Sequence, residues 1–100
     1  MKLLEIVKSD RDGKKYKAVF ETDTGRSKTT HFGATGYTDY TMTSGKKEDK
    51  EMRDRYRTRH EKDLKSNDPS KAGFLSYYTL WGDSTSFSKN VSAFKKKFNL

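Results

Sequence analysis

Residues 8–32, KSDRDGKKYKAVFETDTGRSKTTHF, set one alternating run between two turn signals. In that run Tyr16, Ala18 and Phe20 fall on one face and Lys15, Lys17 and Val19 on the other, the two-residue period of a half-buried strand over residues 15–21. Asp12-Gly13 supplies the turn before it, because both residue types tolerate the positive φ that tight hairpins need. TDTGR, residues 22–26, supplies the turn after it. Working outward, residues 2–8 read as a preceding strand with Leu4 and Ile6 on one face. Residues 27–32 read as a following strand on which Lys28, Thr30 and Phe32 share a face. Together they predict a three-stranded antiparallel meander with one basic, solvated face and one aromatic face.

Beyond the meander the period changes. From Lys46 to Lys65, Met52, Tyr56, His60 and Leu64 recur every four residues, a narrow apolar stripe on one long helix. Glu51 with Arg55, and Asp49 with Arg53, stand at the i,i+4 spacing of surface ion pairs on its outside. KSNDPS, residues 65–70, then breaks the helix, since the residue before a proline avoids helical geometry. Asp68 reads as an N-cap with Pro69 in the first helical position. A second helix is expected over 69–81, with Phe74, Leu75, Tyr78 and Trp81 inward, Tyr77 outward and Gly82 as its C-terminal cap. Residues 83–100 open in capping residues and carry Phe87, Val91, Phe94 and Phe98 at helical spacing. The expected fold is one α+β domain, a β-meander followed by a long helix and two shorter helices packed on one sheet face.

Composition leaves room for that fold and narrows its chemistry. Only 30% of the 100 residues are hydrophobic and 36% are charged, a balance for which disorder is the competing reading. The regular recurrence of 13% aromatics and the single proline favour a folded chain whose rings replace scarce aliphatics in the core. With no cysteine, disulfides and thiolate zinc sites are excluded. No apolar run is long enough for a signal peptide or a membrane span, so a soluble intracellular protein is expected. Asn90-Val91-Ser92 matches a glycosylation acceptor, which has no meaning in that setting.

Residues 31–41, HFGATGYTDYT, gather three rings and two glycines around a single acid, Asp39. Gly33-Ala34-Thr35-Gly36 lacks the further lysine or glycine that would make it a nucleotide loop, although such stretches can turn N–H groups toward phosphate. The stretch reads better as a latch. Its glycines turn the chain over the sheet edge, Tyr37 and Tyr40 cover the core, and Thr38, Asp39 and Thr41 satisfy the loop backbone.

Catalytic signals are few. His31 and His60 could meet in space, but no HExxH, carboxylate-pair or cysteine pattern accompanies them, and a half-buried histidine bonded to a carbonyl explains each. Asp39 and Asp68 are explained by turn and cap chemistry. No catalytic residue, metal ligand or cofactor is therefore assigned, and the chain is expected to be non-enzymatic.

Net charge is +8, from 22 basic and 14 acidic residues, which favours an anionic partner. Arg53, Arg55, Arg57 and Arg59 are spaced by two and so wrap the helix; Arg55, Arg59 and Lys62 stay near one line. Ion pairs, including Glu51 to Arg55 and Asp63 to Arg59, are expected to absorb part of that charge, and a salt-bridge-laced solvated helix is the alternative to a binding face. Lys89, Lys95, Lys96 and Lys97 have no acid within residues 84–100, which makes them the least compensated patch. Those seven cations are the candidate nucleic-acid contacts. A stacking platform in LSYYTLWG, residues 75–82, is the weaker possibility, because the core needs most of those rings.

FGATGYTDYT (32–41), RYRTRHEKD (55–63), NDPSKAGFLSYYTLWG (67–82) and FKKKFNL (94–100), in that order, resemble a family of small basic proteins of unknown function encoded mainly by giant nucleocytoplasmic large DNA viruses. The resemblance implies a viral protein in a virion or in the cytoplasm or nucleus of an infected cell. With the charge, it leads us to expect a sequence-nonspecific nucleic-acid-binding protein, duplex DNA favoured, with no membrane partner. The alternative is a virion structural or host-interaction module that binds an acidic protein.

Overall fold

A computed structural model describes residues 1–100 as three strands followed by three helices. Strands β1 (Lys2–Lys8), β2 (Lys14–Glu21) and β3 (Ser27–Ala34) form an antiparallel sheet in chain order, the expected meander. Gly13 and Gly25 take φ of 82° and 80° in the two connecting turns. Tyr16 pairs with Phe32, Ala18 with Thr30 and Phe20 with Lys28, which puts the rings of β2 and β3 on one face. The expected register of β1 is corrected. Leu3 pairs with Phe20, Glu5 with Val19 and Ile6 with Ala18, so Leu4 is the extra residue of a bulge. The bulge turns Leu3 and Ile6 to the same side, buries Leu3 and leaves Leu4 52% exposed.

Helix α1 (Lys47–His60) continues into a 3₁₀ segment, Glu61–Ser66, that ends at Asn67 in the left-handed region. The Asp49 carboxylate accepts from the Lys46 N–H at 2.9 Å and fixes the first turn of α1. None of its 14 residues is fully buried. Its stripe packs against the flank of the core, through Leu64 and through Tyr56 stacked on Trp81, without entering it.

The second helix starts later than expected. Asp68 accepts from the N–H and the hydroxyl of Ser70, at 3.0 and 2.6 Å, and caps a turn closed from Lys71 N–H to Asp68 O. That turn is tied to β3, because Lys28 Nζ donates to the Ser70 hydroxyl and the Thr30 hydroxyl to Ser70 O. Helix α2 is the single turn Ala72–Leu75, and the chain then widens into a π-helical turn, Ser76–Leu80. Gly82 is not a left-handed cap. A Cβ there would stand 2.5 Å from Tyr78 O and from the Asn90 amide carbon, so the residue is glycine for close approach.

Helix α3 (Phe87–Phe98) begins at Ser86, whose hydroxyl accepts from Lys89 N–H, and ends at Asn99 with φ 55°. Asn90 is buried, so the apparent glycosylation acceptor is closed in the folded chain. Its amide donates to Thr79 O and Ser84 O and accepts from Ser84 N–H, which bolts α3 to the π turn. One core joins sheet and helices: Leu3, Ala18, Phe20 and Phe32 against Phe74, Leu75, Leu80 and Phe94. Each of its four phenylalanines contributes about 1.5–3 kcal/mol on burial, enough for a chain this poor in aliphatics to fold around them. No helix is long and apolar enough to cross a membrane.

Candidate functional site

All seven predicted cations lie on the surface. Arg55, Arg59 and Lys62 are exposed on α1 and the 3₁₀ segment, and Lys89, Lys95, Lys96 and Lys97 are exposed on α3. The structure has seven ion pairs, and none of the seven takes part. The expected i,i+4 pairs of α1 do not form. Asp63 instead meets His60, Arg53 bonds its neighbour Asp54, and Arg57 reaches Asp83 at 2.9 Å. Arg55 and Arg59 are therefore freer than their sequence neighbours suggest.

The predicted cations form separate groups. Arg55 and Arg59 line one shallow groove with Asp54 and Thr58. Lys97 lines another with Arg57, Tyr77 and Tyr78, where Arg57 lies over the Tyr77 ring and Lys97 over the Tyr78 ring, each at 5.9 Å. Arg57 was not among the predicted contacts. Its guanidinium is held by Asp83 and the Trp81 carbonyl, more than twenty residues along the chain. Phe94 and Phe98 pack into the aromatic cluster with Phe74 and Tyr78, and Lys97 lies at the edge of that cluster, over the Phe98 ring as well.

The loop after β3 acts as a latch through different residues from those expected. Tyr40 is buried, but Tyr37 is 73% exposed and covers nothing. Tyr40 fills a junction outside the main core, under the Arg53 guanidinium at 4.8 Å and beside Gly45. Asp39 is buried: one oxygen accepts from the N–H and hydroxyl of Thr41, the other from Lys15 Nζ at 2.6 Å. Lys15 also donates to Tyr37 O, so this lysine of the supposedly solvated face is drawn into the loop. A buried pair of this kind offsets desolvation only because its remaining hydrogen bonds are made.

The histidines do not meet. His31 bonds the Ser9 hydroxyl at 2.7 Å beside its cross-strand neighbour Lys17. His60 bonds Asp63 through Nδ1 at 3.1 Å, a carboxylate where a carbonyl was expected. No group of three or more acids and histidines is arranged to hold a metal ion.

His60 belongs to a feature that the sequence did not reveal. A cleft of about 580 Å³ opens between the end of β2–β3, the 37–39 loop, α1 and the π turn. One wall is a three-ring stack in which Tyr56 lies between Trp81, at 4.3 Å, and His60, at 4.2 Å. Burial pushes the Tyr56 phenol above its ordinary value, and the Asp63 carboxylate adds to the shift. Gly33 closes the floor: a Cβ there would stand 2.9 Å from Leu80. The stripe Met52, Tyr56, His60 was the available signal, but its partner Trp81 lies 25 residues after Tyr56. Nothing in residue spacing links the two.

No curated protein and no solved structure matches the chain. Residues 4–60, which span the sheet, the latch and α1, match a family described only as a family of unknown function (DUF5754), and the chain belongs to that family.

Proposed function

We propose that the protein is a non-enzymatic, sequence-nonspecific nucleic-acid-binding protein that neutralises phosphates with Lys/Arg patches, duplex DNA being its favoured ligand. The observation that carries the reading is the C-terminal end of α3. Lys95, Lys96 and Lys97 are exposed, engage no acid, and lie with Lys89 in a segment with no acidic residue at all. Their position also suits the negative end of the helix dipole, a role worth about 0.3–1 kcal/mol per charge near a surface. That role alone does not call for three consecutive lysines. Arg55, Arg59 and Lys62 add a second, mixed patch, since the exposed acids Glu51 and Glu61 lie on the same helical segment. Release of condensed counterions supplies most of the affinity in such binding. The setting we propose, with a viral genome or particle, rests on the resemblance to small basic proteins of large DNA viruses.

The test is the triple variant Lys95→Gln, Lys96→Gln, Lys97→Gln, titrated against duplex DNA at several salt concentrations. The slope of log K against log salt should become shallower by roughly 2.7, at about 0.9 per phosphate contact. Thermal melting of the same sample should fall only by the small dipole term. An unchanged slope would turn the reading toward an acidic protein partner, for which retention on an acidic protein in place of DNA is the direct comparison.

A further inference from the structure

We infer that the cleft beside Trp81 is a binding site for a small ring-bearing anion of nucleoside monophosphate size, a site separate from the Lys95–Lys97 patch that carries the duplex-binding reading and sharing only Arg59 with the second patch. Its volume of about 580 Å³ lies within the range of small-molecule sites, roughly 300–1,000 Å³. Its lining combines an apolar and aromatic wall, formed by Met52, Leu80 and Trp81, with polar groups from β2, the loop after β3, α1, the 3₁₀ segment and the π turn. One of these elements is a π-helical turn, a geometry often kept at functional positions despite its poorer packing.

The charges choose the sign of the ligand. Of the two acids in the lining, Asp39 is neutralised by Lys15 and saturated by Thr41, and Asp63 is engaged with His60. The remaining cations, Lys14 and Arg59, are exposed at the rim and have neither an ion pair nor a side-chain hydrogen bond. Arg59 offers the planar fork that binds phosphate through two parallel hydrogen bonds. Since Asp63 holds His60 by Nδ1, Nε2 is the ring nitrogen left for a ligand. Two free cations against one half-exposed acid leave the rim net positive, which suits a ligand that carries a single phosphate. The aromatic wall then favours a ligand whose body is a flat ring.

Trp81 is the only tryptophan of the chain and lines the cleft, so its fluorescence reports occupancy directly. The experiment titrates the full chain with AMP and UMP, and in parallel with adenosine and with inorganic phosphate. Saturable change with a Kd of about 1 mM or tighter is expected for the nucleotides, and binding at least about tenfold weaker for adenosine or phosphate alone. Lys14→Gln and Arg59→Gln should each weaken nucleotide binding about tenfold, the loss of one charge-assisted contact. The Lys95–Lys97 variant should bind nucleotide like the parent even if its grip on DNA is lost. Failure of duplex binding thus leaves this site standing, and the reverse also holds. The inference is overturned if no saturable change occurs, if phosphate alone matches AMP, or if Arg59→Gln binds as the parent does. Loss in the Lys95–Lys97 variant alone would move the ligand to the tail and equally overturn it.

Discussion

Tyr40 and Asp39 show how single residues fix the loop that follows the sheet. Tyr40 is only 2% exposed and lies beneath Arg53, so truncation removes a whole buried ring and leaves a cavity. Tyr40→Ala should lower stability by about 3 kcal/mol, read as a drop in melting temperature, with DNA binding affected only through unfolding. A variant that melts like the parent yet binds weakly would remove the latch role. The sequence indicated a latch but named both tyrosines for it, and only one serves. Tyr37 and Tyr40 sit in the same composition; what separates them is the Asp39–Lys15 pair, formed across 24 residues, which turns the chain so that Tyr37 faces solvent. Local pattern carries no record of such a partner.

The turn before α2 anchors that helical region to β3 and makes an acid-sensitive joint. Ser70, through its hydroxyl and then its N–H, holds the Asp68 carboxyl below the usual aspartate range, with smaller help from Lys28. A carboxyl depressed in the folded state stabilises it above the unfolded pKa, and that contribution is lost as pH falls through the folded value. Denaturant melts should therefore show Asp68→Asn less stable than the parent at pH 6, with the difference shrinking toward pH 2.5. A constant difference across that range would mean the carboxylate charge is not involved. On the far side of the π turn, Asn90 makes three hydrogen bonds from a buried position. Asn90→Ala strands those backbone groups and should cost about 1–3 kcal/mol in urea melts. Loss below about 0.5 kcal/mol would show that Asn90 does not join the two elements. The elements themselves were readable from period and turn residues. The Leu4 bulge and the π turn were not, because each inserts one residue into an otherwise regular repeat, and the repeat is what the eye follows.

At the scale of the whole molecule, the sequence displays charge better than it displays shape. Four uncompensated lysines in one helical segment can be read directly, and folding leaves them exposed. The ion pairs of α1 differ from those its spacing predicts because long side chains pair with whatever the fold brings near. Arg57 chose Asp83 from a different loop, and Asp63 chose His60 over Arg59. The cleft joins four segments separated by up to 67 residues, from Lys14 to Trp81, so no stretch of sequence contains it. The central claim is that exposed lysines and arginines act by neutralising phosphate. Its most direct measurement is the affinity of the parent protein for duplex DNA from low to moderate salt. Five to six phosphate contacts predict log K falling against log salt with a slope of about −4.5 to −5.5. A slope near zero, or no binding at low salt, would contradict the account.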